Sequence, residues 1–398
     1  MKTKLILALL TICGIASAQG TWTQKADFGG AARCGAVGFS IGTKGYIGTG
    51  YDGSTLYKDF WEWDQATNVW TQKVDFGGIG RDEAIGFSIG TKGYIGMGSY
   101  FNGSIWTSLK DFWEWNQTTN VWTQKANFGG TARSGAIGFS IGTKGYIGTG
   151  LDSTNATQDF WEWNQATNIW TQKANFGGTI KYTSVGFSIN TMGYIGTGLD
   201  STNATQDFWQ WNQATNVWTQ KANFSGTARG EATGFCINSK GYIGTGTGMH
   251  PYGDFWEWNQ ATNVWTQKAN FGGVARYLAV GFSISSKGYI GLGSDGNNFQ
   301  DFWEFDPNGN GVNEISNKIS VSVFPNPSSG MFTIQANSQQ LLANNQIEIY
   351  NVLGECIYQH ICISANQQID LSSQPSGVYL YQISSNAKIL ASGKFVKE

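Results

Sequence analysis

The chain has 398 residues, with 55 Gly, 18 Trp, 16 Tyr and 24 Phe but only 13% charged residues, 5 Pro and 2 His. Abundant aromatics with little charge argue against disorder, and without Gly at every third position the chain is not collagen-like. A net charge of -2 offers no basic face for nucleic acid, and two histidines leave little for a His-rich metal enzyme.

Lys2 and Lys4 precede an apolar run from Leu5 to Ile15, and Ala16-Ser17-Ala18 offers small residues for cleavage. This predicts a secretory signal peptide over residues 1–18. The run is shorter than the roughly 20 residues that span a bilayer, and no other stretch is longer, so no transmembrane segment is expected. Ile12, before Cys13, is too large for a lipid-attachment box. Cys34 and Cys236 occupy non-equivalent places in the repeats below. Cys356 and Cys362 could pair across a hairpin in an oxidising compartment.

From residue 19 to 305 the chain repeats itself. Trp-Thr-Gln-Lys begins at Trp22, Trp70, Trp122, Trp170, Trp218 and Trp265. Gly-Tyr-Ile-Gly begins at Gly45, Gly93, Gly145, Gly193, Gly241 and Gly288, and Asp-Phe-Trp at Asp59, Asp111, Asp159, Asp207, Asp254 and Asp301. Such a period calls for a repeat architecture. Each unit reads as four short strands, for example Ala136 to Ile141, Gly145 to Gly148, Phe160 to Trp163 and Asn168 to Gln172. Aromatic and β-branched residues suit a pleated surface, and Gly142-Thr143-Lys144 and Asn164 to Thr167 are turns. Four strands per unit, repeated radially, predict an all-β fold with a six-bladed β-propeller. The array opens with a lone fourth strand at Trp22 and closes on a third strand at Phe302 to Phe305. The N-terminal strand must therefore complete the last blade, which leaves no open blade edge.

These residues resemble kelch repeats of the galactose oxidase-like propeller superfamily. The likeness rests on the Tyr of Gly-Tyr-Ile-Gly, the Trp of Asn-Val-Trp-Thr, the spacing between them, and an Arg before the first strand (Arg33, Arg81, Arg133, Arg229, Arg276). One departure is that the usual Gly-Gly after the second strand is here Gly48-Thr49-Gly50.

After a linker over residues 306–318, rich in Asn and Gly, residues 319–398 alternate as short strands. They are expected at Ser320 to Phe324, Met331 to Gln335, Gln346 to Tyr350, Val378 to Ile383 and Lys394 to Val396, a small β-sandwich. Val323 to Gly330, Ile349 to Gly354, Asp370 to Ser372, Pro375 to Tyr379 and Lys394 to Lys397 resemble the C-terminal sorting domain of type IX secretion cargo. That resemblance implies recognition by the type IX machinery and export to the cell surface or beyond. Asp306-Pro-Asn-Gly-Asn-Gly looks like the first half of a calcium loop, but its twelfth position is Asn317 rather than Glu.

Segments alike in all repeats read as architecture, and segments that differ as candidates for function. The loops between second and third strands differ most. That of blade two carries Phe101 and Trp106, and that of blade five carries His250, Pro251 and Tyr252. The loops before the first strands emerge on the same face and carry Arg81 and Arg229, then Glu83, Tyr182, Glu231 and Tyr277. Basic groups, carboxylates and aromatics around a concavity suit a glycan or a surface protein. This rim of Arg81, Glu83, Trp106, Tyr182, Arg229, Glu231, His250, Tyr252 and Tyr277 is the expected ligand site. No metal, cofactor or nucleic-acid partner is expected. The kelch resemblance admits copper radical oxidases and sugar epimerases. The former need two His, two Tyr and a Cys at one metal, and only His250 lies in the propeller. A sugar-directed enzyme using Glu83 or Glu231 beside Arg81 or Arg229 is the alternative.

Overall fold

A computed structural model of the chain describes residues 20–309, 321–336, 345–362, 366–385 and 388–398. The expected signal peptide and most of the linker, with Asn317, lie outside these. The chain divides into two units, with the boundary between Asn310 and Gly311.

The first unit is a six-bladed β-propeller. In blade three, Ile137–Ile141, Lys144–Gly148, Phe160–Asn164 and Ile169–Gln172 pair antiparallel in that order. In blade six, Val280–Ile284, Lys287–Gly291 and Phe302–Asp306 are completed by Thr21–Gln24, with Trp22 opposite Phe305. The N-terminal strand thus closes the ring as expected. First strands of successive blades adjoin around the axis, including those of blades one and six.

Aromatic wedges hold the blades at their mutual angle. Within blade one, Phe39, Tyr46 and Phe60 stack across three strands at 5.6 and 5.7 Å. Trp115 and Trp122 of blade two then pack edge-on against Phe60 at 5.0 and 5.2 Å. Trp211 and Trp218 of blade four hold Phe160 in the same way. Each buried ring stabilises by roughly 2–3 kcal/mol, and each edge-to-face pair adds about 0.5–1.5 kcal/mol.

The common turns are structural. Asn168 is left-handed (φ 56°), and its Oδ1 accepts from Trp163 Nε1 and from the backbone N–H of Ala126 in the preceding blade. Gln165 Nε2 donates to the Tyr94 hydroxyl of blade two at 2.7 Å. The residue between the glycines of Gly-Thr-Gly is also left-handed in every blade, with φ of 62° at Thr49 and 55° at Met97. A position whose backbone favours glycine is therefore held by larger side chains buried completely.

The second unit is a two-sheet sandwich. Val321–Phe324, Met331–Ala336 and Asn366–Asp370 form one sheet. Cys356–Cys362, Asn345–Tyr350, Gly377–Ser385 and Lys388–Lys397 form the other. Phe332, Ile347, Ile349, Tyr379 and Phe395 share its core. The strands Cys356–Cys362 and Asn366–Asp370 were not expected. Cys356 and Cys362 stand on one strand, roughly 20 Å apart by strand rise, and Cys356 is a free thiol, so a bond across a hairpin is ruled out.

One glycine tests the wedge packing. A Cβ at Gly45 would lie 2.5 Å from Cζ of Phe282 in blade six. Gly45→Ala should lower stability by about 1–3 kcal/mol, measured by thermal or denaturant unfolding. An unchanged midpoint would contradict this packing.

Candidate functional site on the loop face

The loop face has a frame common to all blades and a few features special to some. The frame corrects the sequence reading first. Arg81 and Arg229, expected on the rim, are completely buried. Arg81 donates to both carboxylate oxygens of Asp111 at 2.6 and 2.7 Å, and to the carbonyls of Met97 and Ile79. Arg229 does the same with Asp254 at 2.6 and 2.8 Å and with Thr245 and Thr227. In blade four, Lys181 pairs with Asp207 and donates to Thr205 Oγ1 and the Thr197 carbonyl. Burial pushes the carboxyls of Asp111 and Asp254 up, but their Arg partners prevail and hold both below the usual range. Four of the five N–H donors of each guanidinium are used in this way, and both groups are completely buried away from a ligand.

Glu83 and Glu231 belong to a different feature. Six equivalent residues, Gly35, Glu83, Gly135, Thr183, Glu231 and Leu278, surround the axis, all left-handed with φ of 47–62°. Each donates its backbone N–H to the carbonyl of the one before. Glu83 donates to Gly35 at 3.0 Å, Thr183 to Gly135 at 2.7 Å, Leu278 to Glu231 at 3.0 Å, and Gly35 to Leu278 at 3.1 Å. The chain of bonds closes on itself and lines an axial depression of about 110 Å³. Cavities that enclose a small organic ligand are commonly 300 Å³ or more.

The carboxyls at this mouth are raised. Burial, then Glu83 and Glu231, push Asp82 up to about 8. Burial, then Glu83, push Glu231 up to about 7. Burial raises Glu83, against a hydrogen bond from Ser134. Asp82 Oδ1 is buried without a hydrogen-bond partner. Burial and these three carboxyls push the Cys34 thiol up to about 12.

The remaining candidates separate into three places. Trp106 stands on a small hairpin in blade two, Ser99–Phe101 paired with Trp106–Ser108, half exposed, its ring edge-on to Tyr51 at 5.5 Å. Tyr277 pairs with Ser294 within blade six. Tyr182 and Tyr252 meet across an open cleft of about 530 Å³ between blades four and five, with His250 edge-on to Tyr252 at 4.9 Å. Tyr252 also covers the Arg229 guanidinium at 4.4 Å, as Tyr57 and Phe299 cover Arg33 and Arg276.

The far wall of the cleft is Leu199 to Ala204, and Met249, almost fully exposed, stands at its entrance. Asp200 Oδ1 accepts from the N–H of Thr202 and of Asn203, both at 2.7 Å, which fixes this loop. Sequence reasoning did not single out Asp200, Asn203 and Met249. The stretch Leu199 to Gln206 falls among the variable loops between second and third strands, but it is identical to Leu151 to Gln158 of blade three, so nothing in it stood out by residue. What differs is the facing loop of blade five, Thr247 to Gly253. Among the described residues, no group of His, Cys, Asp and Glu is arranged to hold a metal.

Comparison with known proteins bears on both units. Residues 322–398 match the family described as "Secretion system C-terminal sorting domain". The second unit is a sorting domain. It directs type IX secretion to the cell surface or the extracellular space. No curated protein sequence matches the chain. Among solved structures, one described as "Structure of YjhT" matches with a TM-score of 0.62 at 15% identity, over 70% of this chain and 96% of that one. At that identity the likeness speaks for the propeller fold. No helix among the described residues is long and apolar enough to cross a membrane.

The raised carboxyls give a pH prediction. Their folded values lie above the ordinary 3.8 and 4.5, so their contribution to stability is full below about 4 and lost as pH rises through 7–8. The unfolding temperature should fall between pH 6 and pH 9, and Glu231→Gln should reduce that fall. Equal slopes in wild type and variant would contradict the assignment.

Proposed function

We propose that the protein is an exported binding module that holds a glycan or a segment of a surface protein in the cleft between blades four and five. One observation carries this reading. The cleft, at about 530 Å³, is of ligand size and brings together two of the aromatics expected from sequence, Tyr182 and Tyr252. Fixed polar groups from Asp200 to Asn203 lie opposite. The sorting domain places the propeller where such partners occur. Central aromatic anchors in such sites commonly carry about 2 kcal/mol each.

The test combines a glycan array with binding to purified surface-protein fractions, followed by titration. Replacing Tyr182 and Tyr252 together by Ala should weaken the captured ligand at least tenfold. Trp106→Ala, on the hairpin of blade two, should leave it unchanged. The opposite pattern would move the site to that hairpin.

A second reading, a sugar-directed acid–base enzyme, is favoured by Glu231 lying at about 7, near an operating pH. The buried pairing of Arg81 and Arg229 removes the cations first placed beside the carboxylates, and the axial depression is small for a sugar ring. Turnover of sugars that Glu231→Gln abolishes, with Glu83→Gln also impaired, would establish this reading over binding alone.

A further inference from the structure

The charge of the cleft narrows what it takes. Its wall carries a single formally charged side chain, Asp200. The N–H groups of Thr202 and Asn203 hold that carboxyl below its usual range, so it is ionised at neutral pH. The charge of Lys181 also favours the ionised form, but neither nearby cation is open to a ligand. Lys181 is completely buried and paired with Asp207, and Arg229 is buried and paired with Asp254 beneath the ring of Tyr252. No lysine or arginine lines the opening. An anion entering here would be desolvated beside a carboxylate with no partner for its own charge.

The other groups suit hydroxyls and C–H faces. Tyr182, Tyr252, Leu199 and Met249 offer apolar surface. The side chains of Asn203 and Thr202 are linked, Nδ2 to Oγ1 at 2.8 Å, and present further donors and acceptors. A carboxylate accepting from paired hydroxyls, beside an aromatic wall, fits an uncharged sugar.

We infer that the cleft between blades four and five selects uncharged saccharides, hexoses and N-acetylhexosamines, and rejects those bearing carboxylate, sulfate or phosphate. This rests on the binding role proposed for the same cleft. It makes Asp200 the group that discriminates, by repelling anions and by accepting from sugar hydroxyls.

The experiment uses the full chain and matched oligosaccharides of equal length, one neutral hexose and N-acetylhexosamine series and one series carrying uronic acid or sulfate. Affinities are measured by calorimetry at low and moderate salt. Neutral sugars are expected to bind at least tenfold tighter than acidic ones, and the gap should narrow as salt rises. Asp200→Asn should raise affinity for the acidic series. Tyr182→Ala should weaken the neutral series, and Tyr252→Phe, which keeps the ring over Arg229, provides a variant that leaves the Arg229 cap in place. Tighter binding of the acidic series, still abolished by Tyr182→Ala, would overturn the selectivity while leaving the cleft as the site. Binding of no saccharide, or binding indifferent to Tyr182→Ala and Tyr252→Phe, would overturn the selectivity together with the cleft as a saccharide site.

Discussion

The loop face of the propeller depends on one buried ion pair per blade. A cation before the first strand reaches the Asp of Asp-Phe-Trp before the third strand, and also takes the carbonyl at the end of the second strand. One interaction therefore joins the loop before the first strand to the loop between the second and third strands. An aromatic ring lies against each cation, such as Phe76 at 4.7 Å from Arg81. A buried pair is stabilising only when its geometry is good and further hydrogen bonds take up its other donors, and here each cation also donates to one or more carbonyls. The loops above the pair are then free to vary, because they are not needed to hold the face together.

Variation on this frame is what distinguishes one blade's loops from another's. Around the axis the six left-handed residues hydrogen-bond in a closed ring whatever their side chains, so Glu83 and Glu231 can stand where other blades have Gly, Thr or Leu. Farther out, blades three and four present the same loop, and only the altered loop of blade five turns one side of it into a cleft wall. In blade two an inserted hairpin projects Phe101 and Trp106 instead. The sorting domain carries the export information separately from the propeller.

Much of the fold was legible in the sequence. Six copies of three strings set the strand count, and the unpaired strands at either end of the array required closure by Trp22. The sandwich was less legible, because Asn366–Asp370 is rich in Asn and Gln and Cys356–Cys362 breaks alternation. Among the site residues, the arginines were misplaced for a physical reason. A cation repeated in every blade suggests a brace, but Arg81 and Arg229 stood beside the variable Glu83 and Glu231 and were placed on the rim with them, whereas their partners lie 25 to 30 residues on. The signal was present, since an Asp accompanies every cation in every repeat. The cleft was not legible, because it forms between loops of two blades whose proximity only the closed ring creates.

The pair in blade three provides the most direct test. Its surroundings, Thr149, Thr157 and Asp159, match Thr197, Thr205 and Asp207 around Lys181 in blade four. Arg133→Lys reproduces an arrangement the molecule already uses, whereas Arg133→Met leaves Asp159 without its counter-charge. Unfolding by denaturant should show a loss of about 3–5 kcal/mol for Arg133→Met and a much smaller one for Arg133→Lys. Equal stability of the two variants would contradict the claim that these cations hold the face together.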